Sequence, residues 1–194
     1  MKAENKNRGN KMGAAKPVPA VTGAKEGTAA RFVEIARSQI GVVEGPKDNE
    51  TDFGKFTKHD GQPWCGSFMM WCGSQSKVKL FDVVSTIAGA DAYKKAGKWT
   101  DAKDATPKPG DLIFFHFAAE AKPTDQIQHV GVVVKDNGDG TIVTVEGNTS
   151  PDSKPAGSAA NGGEVAMNVR GYKVGNKRGK WAVVVGFGHP DYVA

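Results

Sequence analysis

Cysteine is scarce in this sequence. Only Cys65 and Cys72 occur in 194 residues, too few for a disulfide-stapled scaffold. Long apolar runs are absent as well. None approaches the ~20 residues that a membrane-spanning helix needs, so stable membrane insertion is not expected. The stretch 1–27 has no apolar core of the kind a secretory signal carries, which leads us to expect synthesis in a cytoplasm and release by some other means. The four histidines, His59, His116, His129 and His189, are scattered, and there is no CxxC pair, so a zinc site is not expected. No internal repeat is visible. What remains, 39% hydrophobic and 24% charged residues, suits one folded domain with a proper core.

The net charge of +5 suggests a nucleic-acid partner only until it is located. Residues 1–27 hold six lysines and arginines against two glutamates, which leaves the other 167 residues at +1. The basicity thus belongs to a Gly/Ala/Pro/Lys segment too poor in large apolar residues to fold. We expect a flexible tail over 1–27, solvated or weakly tethered to an anionic surface, and one domain over 28–194. No nucleic-acid partner is expected.

Apolar residues at helical spacing predict a helix over 28–41, a second starting near Cys65, and a short third one from Ile87 to Lys95. The stretch "EGPKDNETDFGKF" reads as a loop. A Pro/Gly turn then leads into a strand, Leu112–Phe117. "HVGVVV" and "TIVTVEG" flank "KDNGDG" as a β-hairpin. Residues 150–163 read as a long polar loop. "EVAMNVRGY" and "WAVVVGFG" are further strands, joined by a basic turn holding Lys173, Lys177, Arg178 and Lys180. Helices followed by antiparallel strands give an α+β class.

Both cysteines lie in "QPWCGSFMMWC". Cys65, Phe68, Met69 and Cys72 form one helical stripe, which puts the two cysteines about 10.5 Å apart along the axis, beyond the roughly 7 Å that a disulfide tolerates. Cys72 reads as core. Cys65 reads either as core or as a nucleophile in the first helical turn, where unpaired N–H groups lower a thiol's pKa and can hold an oxyanion. A nucleophile needs a base, and His129 opens the strand "HVGVVV". With Asn137-Gly138 at the centre of the turn, His129 faces Glu146. With Gly138-Asp139 it faces Asn148, and with Asp139-Gly140 it faces Ser150. In every case Glu146 and Asn148 share the histidine's face, where either can orient an imidazole.

"PWCGSFMMWC", "GDLIFFHF", "HVGVVV" and "VEGN", in this order, resemble the CHAP domain, a cysteine/histidine-dependent amidohydrolase and peptidase module. "IARSQIGVVEGP" is similar to the start of that domain in peptidoglycan hydrolases of bacteria and their phages. The resemblance spans about 32–188. It implies a papain-like fold, N-terminal helices packed on an antiparallel sheet, and cleavage of amide bonds in peptidoglycan. Cys65 is then the nucleophile, His129 the base, Glu146 the orienting group and Asn148 its support. It further implies a phage endolysin-type enzyme, amidase or endopeptidase, that acts as a monomer on the wall after waiting in the host cytoplasm or being carried by a virion. No cofactor is implied. Some CHAP domains bind calcium in an acidic loop before the cysteine, but Asp48, Asn49, Glu50 and Asp52 lack the alternating acidic pattern, so no metal is expected. The alternatives are an NlpC/P60-type wall peptidase, which usually has a histidine as third group, and a non-catalytic wall-binding module of the same fold.

Overall fold

The computed structural model describes residues 12–20, 23–116, 127–152, 161–173 and 183–194. Helix α1 (Ala29–Ser38) starts where a cap is available: the Thr28 hydroxyl accepts the Arg31 N–H at 3.2 Å. Phe32, Ile35 and Ala36 then fall on its buried face. Helix α3 (Cys65–Ser76) ends at Lys77, whose left-handed φ of 61° stops the helix. Helix α4 (Thr86–Lys95) is capped by Ser85.

Helix α2 (Asp52–Thr57) lies inside the stretch expected to be a loop. Six residues are too few to show a period. The local signal is Thr51, whose hydroxyl caps Gly54 N–H at 2.9 Å.

The described strands form one six-stranded antiparallel sheet in the order β1-β6-β2-β3-β4-β5. They are β1 (Trp99–Asp101), β2 (Leu112–His116), β3 (His129–Asp136), β4 (Thr141–Thr149), β5 (Glu164–Gly171) and β6 (Val183–Gly188). β1 was not anticipated, since three residues carry no alternation. Phe117, expected to end β2, and Lys177, Arg178 and Lys180 of the basic turn lie outside the described residues. Helices on one antiparallel sheet make the fold α+β, as expected.

Alternation splits the sheet into two faces. Leu112, Phe114, Val130, Val132 and Val145 pack with the helices. Ile113, Phe115, Val133, Ile142 and Phe187 form a second cluster on the other face. Helix α3 is central, in contact with α1, α2, β3 and β4. It buries Ser67, Trp71 and Gly73 as well as the expected stripe, so it is enclosed on more than one side.

Residues 12–20, expected within the flexible tail, are attached to the domain. Gly13 N–H donates to Val43 O, Asp52 N–H donates to Gly13 O, and Lys16 N–H donates to Gln39 Oε1, each at 2.7 Å. Ala15 and Val18 pack against the core. Main-chain bonds to a folded body hold this stretch, and composition does not reveal them.

Candidate active site

The position of Cys65 follows from how α3 is gripped. Phe53 of α2 sits 5.6 Å from the Trp64 ring, 5.0 Å from Phe68 and 5.2 Å from Trp71. The Trp64 indole N–H donates to Glu44 at 3.1 Å. On the sheet side, a Cβ at Gly147 would lie 2.8 Å from Phe68 and Trp64, so this glycine lets the helix close onto β4. On the remaining side, a Cβ at Gly66 would lie 2.1 Å from Val83 O. No side chain caps the helix start at Trp64, which leaves the first-turn N–H groups available to the site.

His129 begins β3, and its Nε2 lies 3.1 Å from Glu146 Oε2; both side chains are fully buried. Gly131, not His129, stands opposite Glu146, the offset expected for a turn centred on Gly138-Asp139 and not for one centred on Asn137-Gly138. The carboxylate reaches the imidazole diagonally, across a position without a side chain, because a Cβ at Gly131 would lie 2.6 Å from Glu146 Cγ. Adjacent residues of "VEGN" therefore serve opposite faces: Glu146 meets the histidine, and Gly147 admits the helix.

With Nε2 engaged by Glu146, Nδ1 is the ring nitrogen left for the thiol. Burial pushes the Cys65 thiol up, but the His129 charge, a hydrogen bond to His129, and the backbone N–H groups of Val130 and Gly66 outweigh it, so its pKa lies below the ordinary value. For His129, burial disfavours the charged ring, yet Cys65 and then Glu146 raise its pKa to about 9. The two shifts describe a thiolate–imidazolium pair. Cys72 is the contrast: fully buried without a cationic partner, its thiol is pushed far up, and both cysteines are free. It is a core residue.

Arg170 is the site residue that sequence reasoning missed. Its Nε and Nη2 donate to Glu146 Oε1 and Oε2 at 2.8 and 2.7 Å, and Thr144 Oγ1 donates to Oε1 at 2.6 Å. Burial alone would raise the carboxyl's pKa, but Arg170 holds it well below the usual carboxylate range. The signal was present in the strand pattern. Arg170 shares parity with Ala166 and Asn168 on the inward face of β5, and a cation there requires a partner.

Asn148 does not join the imidazole. It sits where the β4–β5 register shifts, with a left-handed φ of 54°. Its amide donates to Asn49 Oδ1 at 3.1 Å and Asn161 Oδ1 at 3.0 Å, and its Oδ1 accepts Gly163 N–H at 3.2 Å. Both amide hydrogens are spent on tying the loop before α2 to the loop before β5. The expected support of His129 by Asn148 is therefore corrected: the bulge turns the side chain toward these loops.

A groove of about 460 Å³ opens beside Cys65, walled by Gln62 and Pro63, by Asp82 and Ile87, and by Gln128. Cys65 itself is only 4% exposed and lines this groove. The long polar loop expected over 150–163 falls largely outside the described residues. Among the described residues no three or more His, Cys, Asp or Glu side chains are grouped to hold a metal ion.

No curated protein matches the chain. The family model of the CHAP domain does match, over residues 57–148, a span that runs from the end of α2 through Cys65 and His129 to Glu146 and Asn148. Residues 57–148 thus match the CHAP domain, the module of cysteine/histidine-dependent amidohydrolases and peptidases.

Proposed function

We propose that the protein is a peptidoglycan hydrolase of the phage endolysin type, with Cys65 as nucleophile, His129 as acid and base, and Glu146 as the orienting group. The observation that carries this reading is the buried Cys65–His129 pair, with its lowered thiol and raised imidazole, at the wall of a groove. The thiolate attacks the carbonyl carbon of a wall amide. The oxyanion that forms is held by the Cys65 backbone N–H at the helix start. The imidazolium passes its proton to the departing amine, which leaves an acyl-enzyme and a neutral ring. His129 then takes a proton from water as it attacks the thioester, and the acid is released with the thiol. Glu146 keeps the ring aimed and favours its charged form, and Arg170 keeps Glu146 ionised. The enzyme acts as a monomer on the wall, after lysis releases it from the host cytoplasm.

Zymography on cell-wall material tests the reading. The wild type clears the gel and Cys65→Ala does not; a wild type that leaves the wall intact contradicts it. Mass spectrometry of the fragments then assigns the bond. Free L-alanine amino termini mark an amidase, and new stem or cross-bridge ends mark an endopeptidase.

A further inference from the structure

Among the described residues that line the groove, Asp82 is the only carboxylate, and no lysine or arginine accompanies it. This is a local inversion in a chain of net charge +5. Asp82 is also held in place. Its Oδ1 accepts Val84 N–H at 2.9 Å, which closes a tight turn. Val83, fully buried, presses its carbonyl onto Gly66 in the first turn of α3. On the other side, a Cβ at Gly89 would lie 2.7 Å from the Val83 side chain and 2.9 Å from Asp82 O. Two glycines thus clamp the 82–83 backbone between α3 and α4, at a fixed offset from the nucleophile one residue before Gly66. The neighbouring hydroxyls are engaged within the protein: Ser85 Oγ accepts Ala88 N–H, and Thr86 Oγ1 donates to Ile127 O at 2.9 Å. Asp82 Oδ2 makes no hydrogen bond among the described residues, and exposed Ile87 lines the same groove.

We propose that Asp82 is a specificity residue that receives a primary ammonium group of the substrate close to the scissile amide, with Ile87 offering apolar contact to its alkyl carbons. The inference rests on the groove being the site of wall-amide cleavage. A carboxylate with one open oxygen, on a rigid turn and with no lysine or arginine among the described groove residues, selects for a positive group; His59, the one imidazole lining the groove, is engaged through Nδ1 with Thr57 O. Such a group is either a free α-ammonium or the side-chain ammonium of a diamino acid.

Soluble wall fragments in four forms provide the test: untreated, acetylated at α-amines only, acetylated at all amines, and reductively methylated, which retains the charge. For the wild type, KM should rise about 3- to 5-fold, as for a partly exposed ion pair, on whichever acetylation removes the recognised charge, with kcat little changed and methylation tolerated. The α-only arm separates the two sources. Asp82→Asn retains the oxygen that accepts Val84 N–H, so the turn survives. It should bind untreated fragments as weakly as the wild type binds acetylated ones. Equal KM values for all four forms in both proteins would overturn the role of Asp82 and leave the hydrolase reading standing. Failure of the wild type to cleave any form would overturn both.

Discussion

Glu146 accepts four hydrogen bonds, and three of them come from groups other than His129. Changing it to glutamine therefore has two effects. It leaves the buried Arg170 guanidinium with only the half-exposed Asp152, 3.6 Å away, as charge partner, at a cost of up to about 3–5 kcal/mol. It also removes the negative charge that favours the imidazolium, so the His129 pKa falls from about 9 and the alkaline limb of kcat/KM moves to lower pH. Asn148→Ala loses buried hydrogen bonds at about 1–3 kcal/mol, but it does not touch the ring, so its limb should stay near that of the wild type. Paired pH profiles and thermal melts check both outcomes; a moved limb in Asn148→Ala with an unmoved one in Glu146→Gln would reverse the assignment. The same shifts set the stability window. His129 pairing, raised from 6.5, contributes fully below that pH and is lost as pH rises through about 9. Glu146, depressed from 4.5, contributes above that pH and is lost as the solution becomes strongly acidic. The cysteines should separate cleanly: Cys65→Ala folded and inactive, Cys72→Ala active but less stable by about 1–2 kcal/mol, read by lysis assay and melt.

At the scale of elements, Gly131 and Gly147 set the site geometry. Gly131→Ala places a methyl group where the Glu146 side chain crosses toward His129, so activity should fall at least 10-fold, about 1.4 kcal/mol in barrier, with a smaller change in melting temperature. Gly147→Ala forces α3 away from β4 and should chiefly lower the melting temperature. Comparable losses of stability in both would contradict this division. The hairpin and the shared face of His129 and Glu146 were legible in the sequence, because all three tight turns considered set the two on one side of the pleat. The choice among the three registers was not. The ladder shifts between Val133 and Lys135, so counting from the turn misplaces the partner by the time it reaches His129. The role of Asn148 was hidden for a related reason: the second bulge, after Glu146, redirects its side chain. Cys65 was legible because a helix start is a local feature, and α2 was not, because its stability comes from Phe53 packing under Trp64, Phe68 and Trp71.

For the whole molecule, the charge of +5 resides mostly in residues 1–27, yet part of that segment belongs to the fold. Residues 12–20 bridge the loop before α2, the end of α1 and the strand-like stretch at Val43. Removing residues 1–20 should therefore lower stability by about 1–3 kcal/mol, through lost main-chain bonds and the packing of Ala15 and Val18. A calorimetric scan reads this directly, and an unchanged melting temperature would mean that these contacts contribute nothing. Among the described residues no helix is long and apolar enough to cross a membrane.

The pairing of a Cys65 thiolate with the His129 imidazolium is tested by the pH dependence of Cys65 alkylation by iodoacetamide, followed by mass spectrometry of the Cys65 peptide. We expect rapid alkylation well below the ordinary thiol pKa of 9.0, with a plateau bounded on the alkaline side at about 9, where His129 loses its proton. In His129→Ala the acid-side reactivity should disappear. A single rise with a midpoint near 9.0, the same in both proteins, would show an ordinary thiol and rule out the ion pair.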